Sequence, residues 1–263
     1  MTARRLVASA ALAAALASAG CSSAPLERTE PEGHDGAERS SASLESGAVL
    51  KGRVIVGDLE LPAATEVRNT TDPEDCGETH SLENIIVSAK GGLKNAIVAV
   101  KNVLLPDSYQ APISRLVLEN RNCRFEPHVA VLTTGSTIEA VNKDAFYHSV
   151  HLYGLKQLNV ALGALRSKVV KLPNRPGYVI VKCDVHGWMQ AFVRVDNHPF
   201  HAVTGEDGNF QIEGVPPGSY TLEVWHEFLG PMEYDVTVEA GPGLPVTIAY
   251  QRAAESRKEG ITP

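Results

Sequence analysis

The sequence predicts an all-β protein, with a Greek-key β-sandwich, a smaller β-sandwich after it and a disordered N-terminal tether. Three observations carry this. Gly and Pro are plentiful, at 22 and 16 of 263 residues, and they punctuate short Val-rich runs. Within those runs side chains alternate. In the stretch from Gly177, Tyr178, Ile180 and Lys182 fall on one face, and Val179, Val181 and Cys183 on the other. No long stretch has the period of an amphipathic helix.

The chain opens with a positive start, Met1 to Arg5, and an Ala-rich apolar run, Leu6 to Ala19, too short to span a bilayer well. The run ends Leu16-Ala17-Ser18-Ala19-Gly20-Cys21, which resembles a bacterial lipobox. That resemblance implies a signal peptide over 1–20, lipidation of Cys21 with membrane attachment, and an exported lipoprotein of the periplasm or outer membrane. A secretory leader cut near Ala19 is the alternative, and it also exports the protein. Residues 21–47 are rich in Ser, Glu, Gly and Pro and read as a disordered tether, with His34 solvated. The formal charge is −7, and removing 1–20 leaves 22 basic against 31 acidic residues. A net negative chain without a basic cluster gives no support to nucleic-acid binding.

Structure is expected to begin near Val49, with strands over 49–56, 82–87 and 95–103 and a loop over 69–81 holding Thr71-Asp72-Pro73, Cys76 and His80. Further strands are expected at 115–119 and 129–133 around the turn Asn120-Arg121-Asn122, then at 135–142, 146–152 and 169–172. The strand ending at Cys183 follows a Pro-Asn-Arg-Pro-Gly turn, and another strand covers 191–195. Together 48–195 reads as one sandwich with an N-terminal strand extension. From Asp196 the character changes. Phe210 and Ile212 alternate before Pro216-Pro217-Gly218, and Tyr220, Leu222 and Val224 alternate after it, which predicts a hairpin-rich second sandwich over 196–251 closed by 236–238 and 246–250. Residues 252–263 form a polar tail. The join at Asp196-Asn197-His198 is short enough to pack the two domains together.

The chemistry concentrates in Cys183-Asp184-Val185-His186-Gly187-Trp188-Met189. A thiolate, an imidazole and a thioether from one loop suit a soft, redox-active metal, with copper first, whereas structural zinc takes four Cys or His ligands. In an oxidising compartment three cysteines cannot all pair within the chain. Since Cys183 has the metal-like neighbours, Cys76 and Cys123 are the expected disulfide.

With these residues in view, 136–195 resembles a cupredoxin of the plastocyanin type. Asn142-Lys143-Asp144 leads to a first ligand His148, and Cys183-x2-His186-x2-Met189 supplies the rest. The resemblance implies His148, Cys183 and His186 as equatorial ligands of one copper and Met189 as the weak axial one. In plastocyanins the Met follows the His after four residues and here after two, so the axial position stays open. Trp188 and Tyr178 are expected to shield the metal, and backbone N–H groups near Ser149 to bond the thiolate. His128 and His151 are possible additional ligands, although His151, three residues after His148, falls on the opposite strand face. His198, His201 and His226 read as solvated or structural. Asp207-Gly208-Asn209-Phe210 and Val215-Pro216-Pro217-Gly218-Ser219-Tyr220 resemble the carboxypeptidase regulatory-like, or transthyretin-like, domain, which implies a fold and little about function.

No Gly-x-Ser-x-Gly elbow, His-Glu-x-x-His or phosphate-binding glycine loop is present, so an enzyme is not expected. The expected function is one-electron transfer by a copper protein to a redox partner, with the electron leaving through an exposed His edge. A copper carrier or store, and a carbohydrate-binding module with no redox role, are the alternatives.

Overall fold

A computed structural model of the chain describes residues 47–250 apart from 83 and 242; the leader, Cys21, His34, the tether up to 46 and the tail over 252–263 lie outside the described residues. In chain order the strands are β1 (Ala48–Val56), β2 (Glu66–Arg68), β3 (Thr79–Ser81), β4 (Ile97–Val100), β5 (Arg115–Arg121), β6 (Arg124–Glu126), β7 (Val129–Thr133), β8 (Thr137–Asn142), β9 (His148–Gly154), β10 (Leu158–Leu162), β11 (Ser167–Lys171), β12 (Gly177–Lys182), β13 (Gln190–Asp196), β14 (His201–Val203), β15 (Asn209–Val215), β16 (Gly218–His226), β17 (Gly230–Val238) and β18 (Val246–Tyr250). One short helix, α1 (Pro73–Cys76), lies between β2 and β3.

The first sandwich packs a five-stranded sheet, β10-β9-β12-β13-β7, against a four-stranded sheet, β11-β8-β5-β6. From β7 to β12 the chain crosses repeatedly between them, the habit of Greek-key sandwiches. Leu118, Leu132, Ile138, Leu152, Val179, Val181 and Val193 fill the space between the sheets. Each is the inward member of an alternating run, so burial follows directly from the period of two.

The second sandwich differs from the expectation in two ways. β1 lies between β15, to which it runs antiparallel, and β18, to which it runs parallel, and β4 lies between β14 and β16. The N-terminal strands therefore complete the C-terminal sandwich and do not extend the first one. Leu50, Val54, Val98 and Val100 share a core with Phe210, Ile212, Leu222, Val224 and Ile248. The Asp207-Gly208-Asn209 turn shows why β1 fits there. Val54 N–H donates to Gly208 O at 2.8 Å, Gly208 has φ +78°, and a Cβ at that position would lie 2.2 Å from Val54 O. Only glycine permits that approach. The second difference is at Val215-Pro216-Pro217-Gly218, which joins strands of opposite sheets and so is no hairpin turn. The hairpin of this domain is β16–β17, whose register runs from Gly218↔Val238 to His226↔Gly230. The strand expected over 82–87 is not formed either; Val87 makes an isolated bridge to Leu93.

A polar network joins the sandwiches. Arg194 of β13 donates from Nε to both oxygens of Asp196 (3.0 and 2.9 Å), and from Nη1 to Tyr178 Oη (2.9 Å) and to Glu223 of β16. His201 Nδ1 bonds Asp196 Oδ2 at 2.8 Å. Burial opposes ionisation of Asp196, yet the His201 bond and the Arg194 charge hold its carboxyl below the usual range. The short join at 196–198 thus ends in a buried, paired charge cluster.

Candidate metal centre

Cys183 directly follows β12 with its side chain directed inward, continuing the alternation of that strand. The loop after it closes on itself. Met189 N–H donates to His186 O at 2.9 Å and Cys183 N–H to Met189 O at 3.2 Å, so β13 resumes directly beside β12. His148 arrives from the first position of β9, which pairs with β12 through Lys182↔His151. Its approach loop is wired by Asn142, fully buried at the end of β8. Asn142 Nδ2 donates to the carbonyls of Phe146 (2.7 Å), Leu162 (3.1 Å) and Gly163 (3.1 Å), and Oδ1 accepts Asp144 N–H (2.9 Å).

His148, Cys183 and His186 meet there, all buried. The two Nδ1 atoms are 3.0 Å apart, and Cys183 Sγ is 3.9 Å from Nδ1 of His148 and 3.7 Å from Nδ1 of His186. The circle through those three atoms has a radius of about 2.1 Å, close to the lengths of about 2.0–2.1 Å for metal–imidazole and about 2.3 Å for metal–thiolate bonds.

The outer ring nitrogens fix what the inner ones present. His148 Nε2 donates to Asp144 Oδ2 at 2.8 Å, and His186 Nε2 donates to Asp72 Oδ2 at 3.1 Å. A carboxylate only accepts, so each neutral imidazole carries its proton on Nε2 and a lone pair on Nδ1. Two lone pairs and a sulfur then face one another within 4 Å, an arrangement that calls for a cation. The sulfur is prepared for one. Burial pushes the Cys183 thiol up, but His148, which bonds the thiolate when its Nδ1 is protonated, and the backbone N–H groups of His186, Ser149 and Val185 outweigh it and bring its pKa down to about 6. Ser149 N–H lies 3.4 Å from Sγ, where the sequence placed a backbone donor. Burial likewise opposes a charge on His148, and the bonds to Cys183 and Asp144 raise its pKa above the ordinary value.

Met189 is buried in the same cluster as Cys183. Trp188 packs on His186, ring centroids 5.1 Å apart, and its Nε1–H donates to Cys123 O at 3.0 Å. Tyr178 does not shield the centre. It stands at the other end of β12, bonded to Glu223 and Arg194. His151 faces outward and bonds Asp184 and Tyr153. His128 bonds Gln190 O at 3.0 Å and the Glu227 carboxylate, so neither it nor His151 joins the cluster. His198 and His226 are buried and accept the N–H groups of Phe200 and Phe228. Cys76 and Cys123 are joined in a disulfide.

One expectation fails. Neither His148 nor His186 has an exposed edge, because both rings are fully buried and each outer nitrogen is covered by a carboxylate. Asp72 escaped the sequence reading. Its only signal was the pair Asp72-Pro73 three residues ahead of a disulfide cysteine. Asp144 was legible as part of the turn before His148 but not as its partner.

Residues 186–251 match the model of the carboxypeptidase regulatory-like domain. Over those residues the chain is similar to that domain. The match starts inside the loop of His186 and takes in β13, which pairs within the first sandwich; β1 and β4, which complete the second sandwich, lie far outside it. No curated protein matches the sequence. Among solved structures, a copper-containing nitrite reductase from Thermus scotoductus is 22% identical over 35% of this chain, with a TM-score of 0.29, and the match spans 24% of that enzyme. A mutant of amicyanin in its Cu(I) form is 14% identical over 38% of this chain and 98% of its own, at 0.28. A purple cupredoxin from Nitrosopumilus maritimus is 17% identical over 32% and 99%, also at 0.28.

Proposed function

We propose that this chain binds one copper ion, which His148, Cys183 and His186 would hold with the buried Met189 beside them as a further sulfur donor, and works as a one-electron carrier. One observation carries the reading: two Nδ1 lone pairs and a thiolate converge on a circle of metal-ligand radius, with both outer nitrogens committed to carboxylates. Thiolate and thioether are soft and imidazole suits both oxidation states, so copper bound there supplies a Cu(II)/Cu(I) couple. The chain's own part is to hold the donors still. β9 and β12 are paired strands, the loop is closed by two backbone bonds, and Asp144 and Asp72 fix the ring orientations. Burial excludes water from the donor atoms. Export and anchoring through Cys21 belong to the same proposal, and the Cys76–Cys123 disulfide supports an oxidising location. A redox partner follows from the carrier role. A carrier or store of copper is less favoured, because His128 and His151, which would supply extra ligands for exchange, are engaged elsewhere.

The test is copper analysis and visible absorption of the full chain after Cu(II) addition. One copper per chain and an intense thiolate-to-copper band that is lost in Cys183→Ser support the carrier. Tight but colourless Cu(I) binding supports carriage, and no copper retention overturns both.

A further inference from the structure

The turn that covers His186 is built unusually. Asp72 occupies the N-cap of α1, where an Asp side chain ordinarily accepts a backbone N–H of the first turn, yet it makes no such bond. It also sits at φ 49°, ψ 48°, in the left-handed region that a non-glycine residue adopts at a cost. What the carboxylate does instead is reach His186 Nε2 at 3.1 Å. The backbone around it is tied down. Asp72 O accepts the N–H groups of Asp75 (3.1 Å) and Cys76 (2.8 Å), while Asn69, buried, spans the turn from Thr71 N–H (2.8 Å) to Gly77 O (2.6 Å).

The disulfide extends this brace across the site. Cys76, at the end of α1, is bonded to Cys123. The N–H groups of Asn122 and Cys123 donate to Asp144 Oδ1 (2.8 Å) and Oδ2 (3.0 Å), and Asp144 Oδ2 holds His148. Cys123 O takes the Trp188 indole, and His80 of β3 stacks on that indole at 4.2 Å. The disulfide therefore joins the turn that carries Asp72 to the turn whose N–H groups hold Asp144, and Trp188 is bonded to the second of these.

We propose that Asp72 is a positioning residue of the metal centre: it holds His186 in the Nε2–H form and seals that ring's outer edge, and the Cys76–Cys123 disulfide holds Asp72 in place. This rests on the reading of His186 as a ligand, but its test does not need the metal. The Asp72 side chain is 40% exposed, so its replacement leaves the core untouched.

The experiment is long-range 1H–15N NMR of the metal-free full chain at mildly alkaline pH, reading the tautomer of His186 and the solvent exchange of its Nε2–H. Wild type is expected to show the Nε2–H form with a slowly exchanging proton. Asp72→Ala should populate the Nδ1–H form and speed exchange by about tenfold or more, the loss of one charge-assisted bond. Asp72→Asn keeps an acceptor oxygen and should restore the wild-type tautomer. The double variant C76S/C123S should resemble Asp72→Ala at His186. An unchanged tautomer and exchange rate in Asp72→Ala overturns the role of Asp72, and a wild-type His186 signal in C76S/C123S overturns the role of the disulfide. Failure here leaves the copper reading standing, and absence of copper binding leaves this result intact.

Discussion

Replacing Asn142 by Asp exchanges one amide NH2 for oxygen and changes almost nothing in volume, so no cavity term enters. The amide donates two hydrogens to three carbonyl oxygens at 2.7–3.1 Å, and the residue is fully buried. An ionised carboxylate at that point faces those oxygens without a donor. Losing the donors costs about 1 kcal/mol each and the unpaired buried charge more, so the expected loss at neutral pH is about 3 kcal/mol or more. With a urea m-value of about 2 kcal/mol/M, the unfolding midpoint falls by about 1.5 M. Acidification to the point where the new carboxyl keeps its proton restores one donor and recovers part of the loss. Because Oδ1 is kept, Asp144 N–H retains its acceptor, and weakened metal binding in this variant reports on the shape of the loop before His148. The assay is urea unfolding followed by tryptophan fluorescence across pH. A midpoint shift below about 0.3 M at neutral pH refutes the claim that Asn142 organises this loop.

Further outcomes follow from other parts of the molecule. Burial brings the pKa of His226 down to about 4, with His128 adding to it and a backbone bond at Lys94 opposing. The unfolded chain takes that proton near 6.5, so stability is full above that pH and falls as pH drops toward 4, by about 3 kcal/mol in all. His226→Gln should flatten denaturation midpoints over that window, and an unchanged slope sinks the assignment. Removing the disulfide by C76S/C123S opens a cross-link of sequence separation 47 and should cost up to about 4 kcal/mol on the chain-entropy estimate, read as a lowered melting temperature. Arg194→Met leaves the buried Asp196 and the half-buried Glu223 without their cation and should destabilise by about 3 kcal/mol, with calorimetry showing the loss. A melting temperature within error of wild type would remove the network from the account of how the two sandwiches are held.

Local pattern was enough to find most strands and to single out Cys183 and His186, which the structure brings together with His148. Val129–Thr133 and Val246–Tyr250 alternate or run apolar between turn signals, and the structure forms strands over those residues. Cys183, His186 and Met189 were legible because three soft or borderline donors lie within seven residues, a cluster that packing alone does not require. Strand partners were not legible. Residues 49–56 read as a strand, but the partners of β1 are strands β15 and β18, more than 150 residues on, and the choice depends on fitting faces and on the Gly208 turn, neither of which shows in the period of β1. Residues 216–218 looked like a hairpin turn because Pro-Pro-Gly says where the chain bends and not which sheet it enters. Asp72 was hidden for a related reason. A lone carboxylate in a polar loop carries no signal of its partner, and its reach to His186 depends on a disulfide and a left-handed turn.

The most direct measurement of the central claim is the visible spectrum and copper content of the full chain titrated with Cu(II), beside His148→Gly and Cys183→Ser. The account predicts one copper per chain with an intense thiolate-to-copper band that Cys183→Ser abolishes and His148→Gly weakens or shifts. A wild-type chain that stays colourless and copper-free, or a band that survives the loss of Cys183, contradicts it.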